Sequence, residues 1–271
     1  MDGEAYLRGA RVLGRSLLKS GSKYSLLIIV PESMSEKIEK IEDENVKFLI
    51  KPHIGQALDN DMAFSRYAHC LDKLHLWTLI GFEKVCWLDA DMIVLQNIDH
   101  LFDQDVEEFQ IAMASGCTCN ALNNPKVFTR PQACPFNDSQ QKYGNTGLFL
   151  TRPSMKVFQD LLKIDYNHPF PDQDAFNIYF GERSGIIALN SKYNFLNHLP
   201  IAHPRFIPGD KGPHLSSLAD RECVSNSNLF GDVAVFHFCY GKPWDRNILD
   251  LNHEFYQYWN NIADELGIGG S

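Results

Sequence analysis

The sequence has no apolar run that could cross a bilayer. Its longest, Leu26–Val30 and Val85–Leu88, fall far short of the roughly 20 residues that a spanning helix needs. It also has no basic surplus. Lys+Arg is 25 against Asp+Glu 34, a net charge of -9 with histidines neutral. Such a chain carries no electrostatic footprint for a polyphosphate strand or an anionic membrane, so no nucleic acid is expected as a partner. A small anionic ligand held through a divalent cation stays open, because the cation reverses the local field.

No export signal is expected from the first residues either: Asp2, Glu4, Arg8, Arg11 and Arg15 interrupt the apolar residues between Met1 and Leu18. The seven cysteines are scattered without a regular framework, so reduced thiols in a cytoplasmic protein are expected. A Golgi or secretory location would require a leader or anchor upstream. No repeat, low-complexity tract or linker divides the chain, which predicts one domain over 1–271.

What is present reads as alternating strands and helices. Tyr6, Ala10, Leu13 and Leu17 recur at helical spacing, with Arg8, Arg11, Arg15 and Lys19 largely off that stripe and Gly21 as the stop. Leu26–Val30 predicts a strand buried on both faces, Ser35–Glu44 a charged helix, and Val46–Ile50 a second strand. A longer helix is expected over Phe64–Ile80 and a third strand over Val85–Leu88. This alternation predicts an open, largely parallel sheet covered on both sides. Further on, Ala114–Tyr143 reads as a long loop or insertion, a feature that is more often functional than idle. Gly147–Thr151, Ile186–Leu189 and Val233–Phe238 predict strands, and Ser154–Ile164 and Asp172–Phe180 predict helices. Asn197–Asn228, with four prolines, predicts loop.

The sharpest local signal is Asp89-Ala90-Asp91, directly after a buried strand. Two carboxylates at a strand's carboxyl end suit a hard divalent cation that keeps positions open for phosphate oxygens. Alone, the pair is a common solvated strand end. His237, closing an apolar strand, becomes a third candidate ligand beside them, and an imidazole favours Mn²⁺ over Mg²⁺. Gly241 permits close backbone approach, and Lys242 offers a point charge to a diphosphate. Asn145 and Thr146 precede a strand and suit sugar hydroxyls. Asp172, Gln173 and Asp174 open a helix, where capping by Asp172 is the plainer role. Lys73 faces either solvent or a ligand.

The ordered set resembles glycosyltransferase family 8, the glycogenin-like retaining enzymes. The matching pieces are Ala5–Gly14, Lys73–Trp77, Leu88–Met92, Asn97–Asp99, Leu101-Phe102, Asn145–Gly147, Asp172-Gln173, His237-Phe238 and Lys242–Trp244. The resemblance implies a GT-A type nucleotide-sugar transferase fold, α/β, as a single Rossmann-like domain with a mixed central sheet. It implies a UDP-hexose donor, glucose or galactose, and Mn²⁺ (with Mg²⁺ as second choice) on Asp89, Asp91 and His237. Asp89 would also touch the ribose, Tyr6 would lie near the uracil, and Lys73 would reach the donor. Gly241 and Lys242 would meet the diphosphate. Asn145 and Gln173 would contact the hexose, with Asp172 beside the reacting face.

The acceptor implied is a glycan, a protein-linked sugar or a polyol such as inositol, and a homodimer is compatible with the pattern. Self-glucosylation as in glycogenin is the alternative, but no tyrosine lies between Tyr193 and Tyr240 to receive the sugar. A non-catalytic scaffold is the reading from another class. The family opens with a strand ahead of the first helix, and here Met1 stands only a few residues before that helix. A gap is therefore expected in the middle of the sheet. The stretch between His237 and Lys242 is one residue shorter than in glycogenin, so that loop is expected to differ. Cys117, Cys119 and Cys134 suggest zinc only weakly, for no tetrad of regular spacing accompanies them. A structural or acceptor-side loop is the favoured role for that segment.

Overall fold

In a computed structural model, residues 3–39, 41, 46–54, 70–121, 129–139, 141–203, 233–245 and 253–269 are described. Helix α1 (Gly3–Lys19) forms where the apolar stripe predicts it, burying Ala10, Val12, Leu13 and Leu17. Gly21, at φ +78°, ends it in the left-handed region. The N–H groups of Gly21 and Ser22 return to the carbonyls of Leu18 and Leu17, which satisfies the helix's last acceptors.

Strands β1 (Leu26–Val30) and β2 (Val46–Ile50) pair in parallel, with the short helix α2 (Ser35–Ile38) between them. In β1 only Ile28 and Val30 are fully buried, so it is not covered on both faces as its composition predicts. Helix α2 stops well short of Glu44, and 42–44 lie outside the described residues. The helix expected over 64–80 is a 3-10 helix at Cys70–Thr78. Residues 64–69 lie outside the description.

The second half supplies the remaining layers. A four-stranded sheet runs in the order β3 (Val85–Leu88), β6 (Gly144–Thr151), β5 (Ile111–Ser115), β7 (Ile186–Leu189). A three-stranded sheet runs β4 (Met92–Val94), β9 (Val235–His237), β8 (Phe195–Leu196). β1/β2, β5/β7 and β8/β9 are parallel, whereas β3/β6, β5/β6 and β4/β9 are antiparallel. The expectation of a largely parallel arrangement is therefore corrected to a mixed one. Antiparallel pairing of β6 lets both carboxylate-bearing and amide-bearing ends meet at one edge. The strand β5 also takes Ala114 and Ser115 out of the expected loop. Among the described residues the remaining α-helices are α3 (Met155–Leu161, capped by Ser154), α4 (Pro171–Gly181), α5 (Leu199–Ala202) and α6 (His253–Glu265). Among the described residues, no helix is long and apolar enough to cross a membrane.

The core follows strand alternation. Phe149, Ile111 and Met113 point to one face, where Trp77, Phe176 and Phe180 cover them. Leu148, Leu150, Ala112 and Ala114 point to the other, against Leu13, Leu17 and Val94. Truncating Phe149 to alanine would cost about 3–5 kcal/mol. α1 is bound to β4 by a hydrogen bond as well: Val94 N–H donates to Ser16 Oγ (3.0 Å). On the far side, Phe236 stacks on Phe255 of α6 at 3.9 Å. Among the described residues β1 pairs only with β2 and β3 only with β6. Both strands line a cavity of about 1290 Å³ that continues into the site described next.

Candidate functional site

The two aspartates sit where the chain changes sheets. β3 ends at Leu88, and Asp89 N–H still donates to Gly147 O (2.8 Å), which extends the ladder with β6 by one residue. A turn at Ala90 follows, and Met92 opens β4 opposite His237 of β9. The carboxylates are thus joined by a turn and not by continued strand. His237 reaches them because Phe238 N–H donates to Asp91 O (2.9 Å), fixing the end of β9 beside that turn. One ligand atom each from Asp89, Asp91 and His237 lies within 4.8 Å of the others. Two carboxylates and an imidazole form a donor set suited to Mn²⁺ or Mg²⁺ with coordination positions left open.

The tautomer of His237 follows from a chain of amides. Gly147 N–H donates to Asn145 Oδ1 (2.9 Å), which fixes which end of that side chain is oxygen. Asn194 Nδ2 donates to the same oxygen (2.8 Å), so Asn194 presents its own Oδ1 to His237 Nδ1 at 2.9 Å. Nδ1 must then carry a proton. Nε2, 3.4 Å from Asp91 Oδ1, is the nitrogen turned toward the carboxylates, as a metal-binding imidazole requires. The same chain runs on through Asn145 Nδ2 to Gln173 Oε1 (2.7 Å) and through Gln173 Nε2 to Tyr143 OH (2.9 Å).

Charge is arranged in two linked groups. Lys242 is ion-paired with Asp91 and also donates to Phe238 O at 3.2 Å, so the shorter loop before it still delivers its ammonium to the carboxylates. Gly241, at φ +68°, provides the turn. Lys73 Nζ lies 2.7 Å from Asp172 Oδ2, 3.3 Å from Asp89 Oδ1 and 3.2 Å from Thr146 O. Thr146 Oγ1 also donates to Asp172 Oδ2 (2.7 Å), and Trp87 Nε1 donates to Asp89 Oδ1 (2.6 Å).

Burial opposes charge on Asp91, yet Lys242 and His237 hold its carboxyl well below the usual range. Burial likewise opposes charge on Asp172, but Lys73 lowers it, so Asp172 is ionised. Asp89 is raised, because burial and the neighbouring Asp91 outweigh Lys73. Burial resists a proton on His237, but Cys239 and Asp91 raise it to about 10. The negative field that binds this proton would equally stabilise a divalent cation, with loss of the proton on binding.

Tyr6 packs edge-on against Trp244, ring centroids 5.0 Å apart. Trp244 rests on α1 at Gly9, where a Cβ would come within 2.4 Å of the Trp244 ring and 2.6 Å of Ala90 O. All the predicted residues (Tyr6, Lys73, Asp89, Ala90, Asp91, Asn145, Asp172, Gln173, His237, Gly241 and Lys242) line the one cavity. Sequence reading gave no role to Asn194 and Tyr143, which touch the site through other side chains, or to Trp87, which also lines the cavity. It also missed His198, a buried ring 4.7 Å from Tyr240, held neutral by burial and by His237 and His203, which push it down to about 3. Trp87 and Tyr143 stand two residues before Asp89 and Asn145, so closeness to those motifs was a signal for them; Asn194 and His198 stand in no local motif.

Residues 3–248 match the profile of Glycosyl transferase family 8. Galactinol synthase 1 of Arabidopsis thaliana is 27% identical over 266 residues, 92% of this chain and 71% of the relative. Galactinol synthase 2 of Solanum lycopersicum is 26% identical over 285 residues, 96% of this chain and 77% of the relative. Among solved structures, the galactosyltransferase LgtC in complex with donor and acceptor sugar analogs superposes with a TM-score of 0.59 at 17% identity. That match covers 96% of this chain and 92% of LgtC. The bifunctional glycosyltransferase WbbM gives 0.61 at 16% identity, covering 95% of this chain and 47% of WbbM. The structural likeness is one of fold, GT-A, and the family rests on the sequence match.

Proposed function

The chain belongs to glycosyl transferase family 8, and we propose that it is a retaining transferase moving a hexose from a UDP-sugar to an acceptor hydroxyl with Mn²⁺ or Mg²⁺. The observation that carries this reading is the convergence of Asp89, Asp91 and the oriented His237, with Lys242 and Lys73 on either side. As a nucleotide-sugar glycosyltransferase it must stabilise charge that grows on a leaving diphosphate as the anomeric bond opens. A cation bound by the three ligands would neutralise part of that charge and remove the need to protonate the leaving group.

The chain's own residues account for the rest. Lys242 lies against Asp91, close enough to follow the diphosphate. Tyr6, backed by Trp244, offers an aromatic edge for the base. Asn145 and Gln173 are locked to each other, so their remaining polar capacity is directed at sugar hydroxyls. In the transfer the bond from the anomeric carbon to the diphosphate breaks and a bond to the acceptor oxygen forms. The acceptor's proton passes to the departing diphosphate. Asp172 has one oxygen committed to Lys73 and Thr146. Its anionic carboxylate would stabilise positive charge at the anomeric carbon during same-face attack by the acceptor hydroxyl.

The relatives' names denote galactinol as their product, which supports a galactosyl donor and a polyol acceptor. The test is release of UDP from a panel of UDP-sugars with Mn²⁺, Mg²⁺ or chelator, with and without inositol and other polyols. Cation-dependent release that rises with a polyol, and a product with the donor's anomeric configuration, is expected. Folded protein that releases nothing from any sugar would overturn the reading.

A further inference from the structure

A second cluster of ligand-type side chains lies outside the carboxylate site. Cys117, Cys119, Cys134 and His203 each place one donor atom within 4.8 Å of the other three. His203 Nε2 is 3.3 Å from Cys117 Sγ and 3.6 Å from Cys134 Sγ. Tetrahedral zinc with ordinary bond lengths holds S···N pairs about 3.5 Å apart and S···S pairs about 3.8 Å apart. The cluster therefore has the dimensions of a single ion's ligand sphere. We propose that Cys117, Cys119, Cys134 and His203 bind one Zn²⁺ as a closed, structural site.

Three features of the surroundings support this. First, the three cysteines are free thiols, and soft sulfur with one imidazole selects zinc over the harder Mn²⁺ or Mg²⁺. Second, the sulfurs accept N–H donors. Asn137 Nδ2 donates to Cys119 Sγ (3.2 Å), and the backbone N–H groups of Thr118 and Phe136 are directed at Cys134. Such bonds stabilise thiolates and orient them, the outer-sphere support a zinc site needs. Third, the Phe136 ring lies 5.3 Å from the His203 ring and shields it. With four protein ligands no position is left for substrate, so the role is structural.

The ion would join three segments distant in sequence: the exit of β5, the turn at 131–137, and the residue after α5. Thr118 and Arg130 are already paired there through Arg130 N–H to Thr118 O (2.9 Å) and Thr118 Oγ1 to Arg130 O (2.7 Å). Arg130 then reaches the site: its Nη2 donates to Tyr143 OH (2.8 Å) and it is ion-paired with Asp174. Tyr143 in turn accepts from Gln173. Zinc would thereby brace the wall that positions Gln173, independently of the cation on Asp89, Asp91 and His237.

The experiment is metal analysis of the full chain, purified without added metal and dialysed against a chelator. About one zinc per chain is expected, in the parent protein and equally in Asp91→Ala, which removes only the other site. Cys134→Ser and His203→Ala should lower the zinc content at least tenfold. Where these variants do not fold, Co²⁺ exchange into the parent protein decides. Strong thiolate-to-cobalt charge-transfer bands with intense tetrahedral d–d absorption are expected. Parent protein without zinc that also gives no such spectrum would overturn the proposal. A disulfide among Cys117, Cys119 and Cys134, found by mass spectrometry of the unreduced protein, would overturn it too.

Discussion

Asn194 Oδ1 lies 2.9 Å from His237 Nδ1, and the same side chain donates to Asn145 at 2.8 Å. One amide thus sets the tautomer of a metal-ligand candidate and the orientation of a sugar-binding candidate. Asn194→Ala should weaken Mn²⁺ binding about 10–100-fold, the usual effect of losing an outer-sphere partner. Titration of Mn²⁺ by calorimetry checks this. Asn194→Asp keeps an acceptor for Nδ1 and should recover most of the metal affinity. Equal loss in both variants would show that the contact has no orienting role.

Asp91→Ala removes a ligand carboxylate and the partner of Lys242. Cation-dependent UDP release should fall to background while circular dichroism stays that of a folded protein. Unchanged turnover would remove Asp91 from the metal assignment.

Lys73→Met separates two pH effects. In the parent protein Lys73 holds the Asp172 carboxyl below its ordinary value. Its contribution to stability is therefore present above about pH 4 and lost as pH falls below that. In Lys73→Met, burial without a neighbouring cation, with only Thr146 still donating, raises the Asp172 carboxyl instead, so that contribution is present below about pH 4 and is lost as pH rises. Between about pH 4 and 6 this contribution should stay level in the parent and fall with rising pH in the variant, which thermal melts across that range check, with the variant about 3–5 kcal/mol less stable at neutral pH. Parallel slopes would mean that Lys73 is not the group that keeps Asp172 ionised.

Gly9→Ala tests the contact that seats α1 beside the aspartates. The new Cβ would meet the Trp244 ring at 2.4 Å and the backbone oxygen of Ala90 at 2.6 Å. Because Ala90 O is backbone, the turn bearing both carboxylates has to shift. A loss of about 1–3 kcal/mol in stability is expected, together with a higher KM for the UDP-sugar. A variant with parent-like KM would place the donor elsewhere in the cavity.

Legibility in the sequence tracked how local each determinant was. Leu26–Val30, Val46–Ile50 and Val85–Leu88 were readable as strands because the run of apolar residues is itself the signal. The stretch Ile111–Ser115 was not, although it forms a central strand, because its small residues Ala112 and Ala114 carry little β pattern. Helix α6 drew no expectation either, though Phe255, Tyr256 and Trp259 are among the most buried residues of the chain. The helical stretch before Ile80 was readable, but not the 3-10 geometry it takes over Cys70–Thr78, where Leu71, Leu74 and Trp77 pack with Phe149 and Phe176.

The sequence by itself determined the chemical inventory: an acidic chain, an Asp-x-Asp pair at a strand end, a histidine and a lysine near the close of a later strand, and an amide and a hydroxyl ahead of Gly147. These are properties of residue type and short spacing. Only the tertiary structure decided which groups meet. It joined Asp91 to Lys242 across the sheet change, put Lys73 between Asp89 and Asp172, and aimed His237 through Asn194. It also brought His203 to three cysteines from two other segments. Each of these contacts joins residues far apart in the chain, and hydrogen bonds and ion pairs of that kind leave no period in the sequence. They exist only once β3, β6 and β9 are packed with their ends at one edge.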